Sequence, residues 1–215
     1  MGAKTWMLAY VDGNAAVKLS GNSQLDRAAS ACLAQKMFPS EKLEVLDDSS
    51  LLDMCPQDKE IVVGSFPGVV LIAAREFAID RPSELDQRFL SVAGGRSVYL
   101  HAMHSVVDWF AYAVWENGKL QRALSLSPDN GIIEDLGMRR GFEEPYWAGK
   151  FPAVDPSEAD DDYPFPFHPL ELGEAALLDL FGYQLEGGSD ASQFQPEDIA
   201  LMRFKRKSAF RRFSK

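Results

Sequence analysis

At 215 residues with a formal net charge of −10, the chain is one large domain or two small ones, and it is long enough to bury a real core. No apolar run reaches the ~18 residues that cross a bilayer, the start Met1-Gly2-Ala3-Lys4-Thr5-Trp6 carries neither a secretory nor a myristoylation pattern, and two cysteines make no disulfide framework, so a cytoplasmic protein is expected. The charge is uneven: seven Lys or Arg and no acid follow from Arg203 onward, which leaves 15 basic and 32 acidic groups on the other 202 residues, an acidic body that repels phosphate and argues against nucleic acid as its partner.

Bulky residues 5–11 read as a strand closed by the turn Asp12-Gly13-Asn14, and residues 17–19 as a short returning strand. Ser23 stands where a helix N-cap belongs. Leu25, Ala28, Ala29, Cys32, Leu33 and Met37 follow at helical spacing until Pro39, which makes Cys32 a small core residue rather than a nucleophile. Residues 43–46 read as a strand and 49–54 as a turn or loop. Cys55, beyond it, is expected to be more exposed than Cys32. EIVVGS (60–65) and VVLIAA (69–74) are strands split by Pro67-Gly68, the second apolar throughout, as in a strand buried on both faces. Pro82 opens a helix with Leu85, Phe89 and Val92 inward, stopped by Gly94-Gly95, and residues 97–103 return as a strand.

The densest stretch follows. Residues 109–115 form an aromatic strand that turns at Asn117-Gly118, the pair that a type I′ hairpin prefers because both positions need φ > 0. Residues 119–127 return with Leu120, Leu124 and Leu126 on one side and Lys119, Gln121, Ser125 and Ser127 on the other. Gly131, Gly137 and Gly141 read as turn residues between short strands. Residues 151–168 are rich in proline and acid, and Tyr163, Phe165 and Phe167 alternate with proline as if packed on the body. A helix over 170–181 stops at Gly182. Gly187-Gly188-Ser189 is a flexible patch, and 199–204 is a last strand at a sheet edge.

The fold class is therefore α+β: a mixed, largely antiparallel sheet or sheets with about three helices on one face. Strand–helix–strand recurs at a lag of about 60 residues, compatible with a duplicated unit. Residues 1–150 make the core domain, 151–168 a connecting segment, 169–204 a helix and strand packed on the core, and 205–215 a basic tail able to contact an anionic surface.

No phosphate-cradling loop, nucleophile elbow or zinc-protease helix is spelled out, and no cofactor or metal is implied. His101 and His104 are three apart, so on a strand they point to opposite faces, which disfavours a shared metal. Glu143 and Glu144 are expected to pair with Arg139 or Arg140 rather than act as an acid/base pair. The aromatics are the stronger lead: Trp109 and Trp115 share a strand face with the small Ala111 and Ala113 between them, a space either filled by a helix or left as a groove. The candidate binding residues are Trp109, Trp115, Arg122, Phe142, Glu143, Tyr146 and Trp147, in a binding or protein-interaction module without catalysis. The alternative is an enzyme with a cleft around His101, His104, Arg122 and Glu143.

GAKTWMLAYVDG (2–13) together with FAYAVWENGKLQRALSLSPDNGIIEDLGMRRGFEEPYW (110–147) resembles an uncharacterised, mainly actinobacterial family. Its members open with Gly-Ala-Lys-Thr-Trp-Met and carry a hairpin with glycine at the turn, an arginine on the return strand (Arg122) and a later Phe-Glu pair (Phe142-Glu143). That family has no established activity, so the resemblance implies a shared fold and transfers no catalytic residue.

Overall fold

A computed structural model describes residues 2–21, 24–154, 163–186 and 192–208. In chain order the strands and helices are β1 (Lys4–Val11), α1 (Ala15–Ser20), α2 (Arg27–Met37), β2 (Glu41–Val45), β3 (Ser49–Ser50), β4 (Glu60–Phe66), β5 (Val69–Ala73), α3 (Gln87–Leu90), β6 (Ser97–His104), β7 (Trp109–Glu116), β8 (Lys119–Ser127), β9 (Gly131–Gly137), α4 (Glu144–Trp147), α5 (Pro169–Phe181) and β10 (Ala200–Ser208). These strands make one sheet ordered β2-β10-β4-β5-β1-β6-β7-β8-β9, with β3 on the side of β10. The expected α+β class holds, but the sheet is not mixed: each strand pairing among the described residues is antiparallel.

Both faces of the sheet are covered, because its central strands are apolar at successive positions. In β1, Met7, Ala9 and Val11 enter one core while Trp6, Leu8 and Tyr10 enter the other. The first face packs under α1, α5 and the aromatic segment of Phe165 and Phe167. The second packs under α2, α3 and two 3-10 turns, Arg75–Phe77 and Pro82–Glu84. Helices were expected on one face only. The all-apolar β5 cannot leave a face to water, and this is why two layers of cover form.

Several local expectations are corrected. Residues 17–19 lie in α1 and not in a strand, because Asn14 caps the helix: its Oδ1 accepts the Val17 N–H at 3.0 Å. The next helix is capped by Asp26, which accepts from Ala29 N–H at 2.9 Å; Ser23 lies outside the described residues. Its buried stripe is Ser30, Ala34 and Met37. Ser30 can face inward because its hydroxyl donates to the Asp26 carbonyl at 2.6 Å and accepts the Ser65 N–H at 2.9 Å, tying α2 to β4. This rotation leaves Cys32 exposed while Cys55 is half-buried, the reverse of the expectation. The helix expected from Pro82 is broken at Leu85, whose ψ of 128° is extended, and restarts where Asp86 caps Arg88 N–H at 2.9 Å. Leu85 and Phe89 still point inward.

The hairpin forms as expected, with Asn117 at φ 52° and Gly118 at φ 73°. Between Gly131 and Gly137, both at positive φ, the chain forms the edge strand β9 (Gly131–Gly137). The last strand is not an edge. It lies between β4 and β2 and runs on to Ser208, so residues 205–208 are sheet, with Arg206 paired to Glu41 and Glu76 and Lys207 to Glu44. Phe210 and Phe213, the acidic run 155–162 and Gly187-Gly188-Ser189 lie outside the described residues. A duplicated unit does not emerge: β5, β4 and β10 separate β1 from β2, whereas β1 alone separates β5 from β6. Five α-helices are present among the described residues, of which α2 and α5 are longer than seven residues.

Candidate functional site

Arg122 owes its position to a bulge. Val114 pairs with Arg122 but Trp115 pairs with Leu120, so Gln121 is an extra residue in β8. The bulge moves Leu120 to the second face, against the expected alternation, and sets Arg122 on the first face beside Tyr112, Leu124 and Leu126. Opposite Arg122 stands Gly137, where a Cβ would lie 2.0 Å from the Gln121 carbonyl oxygen, so only glycine lets β9 approach the bulge.

The Arg122 side chain is fully buried and fully used. Nε donates to Glu143 Oε1 at 2.9 Å, Nη2 to Glu143 Oε2 at 2.7 Å, and Nη1 to Asp135, to the Leu136 carbonyl at 3.0 Å and to the Ala123 carbonyl at 3.3 Å. Glu143 Oε1 also accepts the Tyr112 hydroxyl and, at 2.8 Å, the Arg140 backbone N–H. Burial works against the guanidinium charge, but the hydrogen bonds from Glu143 and Asp135 outweigh it and hold the pKa above the ordinary value. Burial, then the Glu143 charge, push the Tyr112 phenol up. The partner of Glu143 is thus Arg122 and not Arg139 or Arg140, whose side chains meet Trp147 at 4.1 Å and Glu116 at 3.7 Å. This is possible because residues 143–147 are helical rather than extended, which turns Glu143 in and Glu144 out. With its donors committed inside the protein, Arg122 is a latch that fastens β9 and α4 to the sheet.

His101 is sealed on the same face. Its Nε2 donates to the Gly173 carbonyl at 2.9 Å, which can only accept, so Nδ1 accepts the Thr5 hydroxyl at 2.7 Å. A hydroxyl on an imidazole nitrogen has the outline of a nucleophile and its base, but both residues are 0% exposed and no substrate reaches them. Burial lowers the His101 pKa to about 4, so the ring is neutral at neutral pH. His104 lies on the opposite face. The four residues of the enzyme alternative therefore do not converge: Arg122 and Glu143 meet, His101 is bonded elsewhere, and His104 is on the other side of the sheet.

Among the aromatic candidates, Phe142 packs on Tyr112 with ring centroids 5.5 Å apart, and Tyr146 and Trp147 pack on Phe167 at 5.8 and 4.9 Å. Trp109 and Trp115 share the second face as expected. The space between them is filled: the turn Pro82–Glu84 lies over β7 and β8, held where Glu134 accepts both the Ser83 N–H at 3.0 Å and the Ser83 hydroxyl.

Trp109 nonetheless borders open space on its other side. At the end of the sheet where β6 turns into β7 and β8 into β9, a half-open cleft of about 490 Å³ is lined by Trp6, Arg75, Asp80, His104, Val107, Trp109, Asp129 and Ile133, among others. Its strand-borne wall follows from register: His104 pairs with Trp109 across β6 and β7, and with Lys4 across β1 and β6, which puts Trp6, His104 and Trp109 on one face. The Trp109 indole N–H donates to Ser125 Oγ at 3.1 Å, which fixes that ring. The Arg75 guanidinium stacks 4.4 Å from the Trp6 ring centroid. His104 Nδ1 accepts the Val106 N–H at 3.3 Å, and among the described residues Nε2 has no hydrogen-bond partner. Burial, then the positive charges of Lys4 and Arg75, lower the His104 pKa. Trp6, Arg75 and Asp80 escaped the sequence reading because they come from β1 and from the connection after β5, about 70 residues from Trp6, and only the β1–β5 pairing joins them. The signal that could have flagged Trp6 is its even-numbered place beside Leu8 and Tyr10, on the face that Trp109 shares.

No helix among the described residues is long and apolar enough to cross a membrane. No curated protein and no solved structure matches the chain. Residues 5–204 match the model of a family described as a family of unknown function (DUF6928), and the chain, matched over nearly its whole length, belongs to that family.

Proposed function

We propose that this protein is a cytoplasmic binding module without catalysis of its own, and that its binding site is the cleft between Trp6 and Trp109. One observation carries this reading: two indoles, a stacked guanidinium and a histidine with a free ring nitrogen border the same cleft of about 490 Å³, a size suited to a small molecule. Rigid strands hold Trp6, His104 and Trp109, so the site is formed before a ligand arrives. The latch and the sealed histidine support the absence of catalysis, since their reactive groups are turned inward and satisfied. A ligand-observed NMR screen of small aromatic compounds tests the proposal. Hits should compete with one another and shift the indole N–H signals of Trp6 and Trp109; hits that leave both signals unmoved would place the site elsewhere.

A second reading takes a protein partner at the same end of the sheet. It is favoured by Val106, 73% exposed, and Val107, 49% exposed, on the turn that rims the cleft. Val106→Asp would then abolish partner binding while leaving small aromatic hits unaffected.

A further inference from the structure

We infer that the cleft selects a flat aromatic ring carrying an anionic group, a carboxylate or a phosphate. This rests on the proposal that the cleft is the binding site and adds the class of its ligand.

The chemistry is divided across the cleft. The exposed parts of Trp6 and Trp109, each 8% exposed, supply aromatic surface, and the bond from Trp109 to Ser125 holds one of the two rings in place. The cation that lines the strand-borne wall is Arg75, which lies over Trp6; Lys4, two residues along β1 from Trp6 and paired with His104 across β1 and β6, adds positive charge beside that wall. Among the described residues Arg75 meets no carboxylate within ion-pairing distance, although nine other ion pairs form in this acidic chain. Its guanidinium edge is thus available for a two-pronged contact with a carboxylate or phosphate while its face rests on indole. His104 Nε2, which carries the ring proton because Nδ1 accepts from Val106, adds a donor beside it. Asp80 and Asp129, on the loop side, are exposed, as Arg75 is; they suit hydroxyl or amino donors at the far end of a ligand. A neutral or cationic ring would leave Arg75 without a partner, and a cationic one would set like charge beside it.

Three compounds that share a ring but differ in charge decide the matter: indole-3-acetate, 3-methylindole and tryptamine, with indoxyl phosphate as the phosphate arm. Affinity is read by isothermal titration, and location by the indole N–H signals of Trp6 and Trp109. The expected order is anion, then neutral, then cation. Arg75→Gln should weaken the anions by about tenfold, as for loss of one charge-assisted contact, and leave 3-methylindole unchanged. The relative affinity of carboxylate and phosphate then separates the two sources of the anion. If 3-methylindole or tryptamine binds at Trp6 and Trp109 as tightly as the acids, the charge selection is wrong while the cleft remains a binding site. If none of the four moves those two signals at millimolar concentration, the binding-site proposal falls, and the inference with it.

Discussion

Arg122 and Glu143, separated by 21 residues in the chain, are both 0% exposed and meet through two parallel hydrogen bonds of 2.9 and 2.7 Å. The pair draws the edge strand β9 and the helical turn α4 onto the sheet, and Oε1 of the carboxylate also accepts from the Tyr112 hydroxyl and the Arg140 backbone. Such a pair costs desolvation to bury, but it costs more to break, because the survivor is a buried charge with no partner.

Glu143→Gln and Arg122→Met, made singly, should each destabilise the protein by about 3–5 kcal/mol in urea unfolding, and the double variant should cost less than the sum of the two. Single variants within about 1 kcal/mol of the native protein would show that the latch is not tied as described.

The two glycines of β9 should differ. Gly131 has φ 64° with open space around it, so Gly131→Ala meets only the left-handed backbone penalty, about 1–2 kcal/mol. Gly137 has φ 80° and a carbonyl oxygen 2.0 Å from where its Cβ would stand, so Gly137→Ala should cost distinctly more and free the β9 amides to exchange. Equal costs in thermal unfolding would contradict the close approach.

Glu174, 8% exposed, has its carboxyl pushed by burial from 4.5 up to about 7, against the opposing pull of the Leu185 and Glu186 N–H groups and with the Glu186 charge adding to the rise. The folded state therefore holds this proton more tightly than the unfolded chain does. Stability from this group is fully present below pH 4.5 and is lost as pH rises through about 7, a loss of roughly 3 kcal/mol. Glu174→Gln should flatten that part of the stability–pH curve. A native curve that rises between pH 5 and 7 by the same amount in both proteins would contradict this assignment.

His101 and His104 should titrate separately. In nitrogen-resolved NMR, His101 should remain the neutral Nε2–H tautomer down to about pH 4, and His104 should protonate below the ordinary histidine range, because burial and the nearby charges of Lys4 and Arg75 disfavour its cation. Thr5→Val leaves the His101 Nδ1 without its donor and should cost about 1–3 kcal/mol. A His101 ring that titrates near pH 6.5 would mean that this face is open to water.

What was legible in the sequence is the part set by local pattern. The β7–β8 hairpin follows from Asn117-Gly118, the two-sided burial of β5 from its unbroken apolar run, and the end of α5 from Gly182, which adopts φ 83°. What was not legible depends on contacts between distant segments. The bulge at Gln121 reassigns Leu120 and aims Arg122, yet it exists only in the pairing of two strands. Cys32 is turned outward by Ser30 bonding across to Ser65, a preference that no helical stripe encodes. The aromatic cluster of 109–147 drew attention as one site, but alternation and the helical turn at 144–147 distribute it over both faces, and its open end at Trp109 is completed by Trp6 and Arg75 from elsewhere in the chain.

Binding in the cleft between Trp6 and Trp109 is read directly from the tryptophan side chains. Trp6, Trp109, Trp115 and Trp147 are the four tryptophans of the chain, and their indole N–H signals report on separate places. Titration with indole-3-acetate should shift Trp6 and Trp109 together, with one dissociation constant, while Trp115 and Trp147 stay fixed. Shifts confined to Trp147, or to neither member of the Trp6–Trp109 pair, would contradict it.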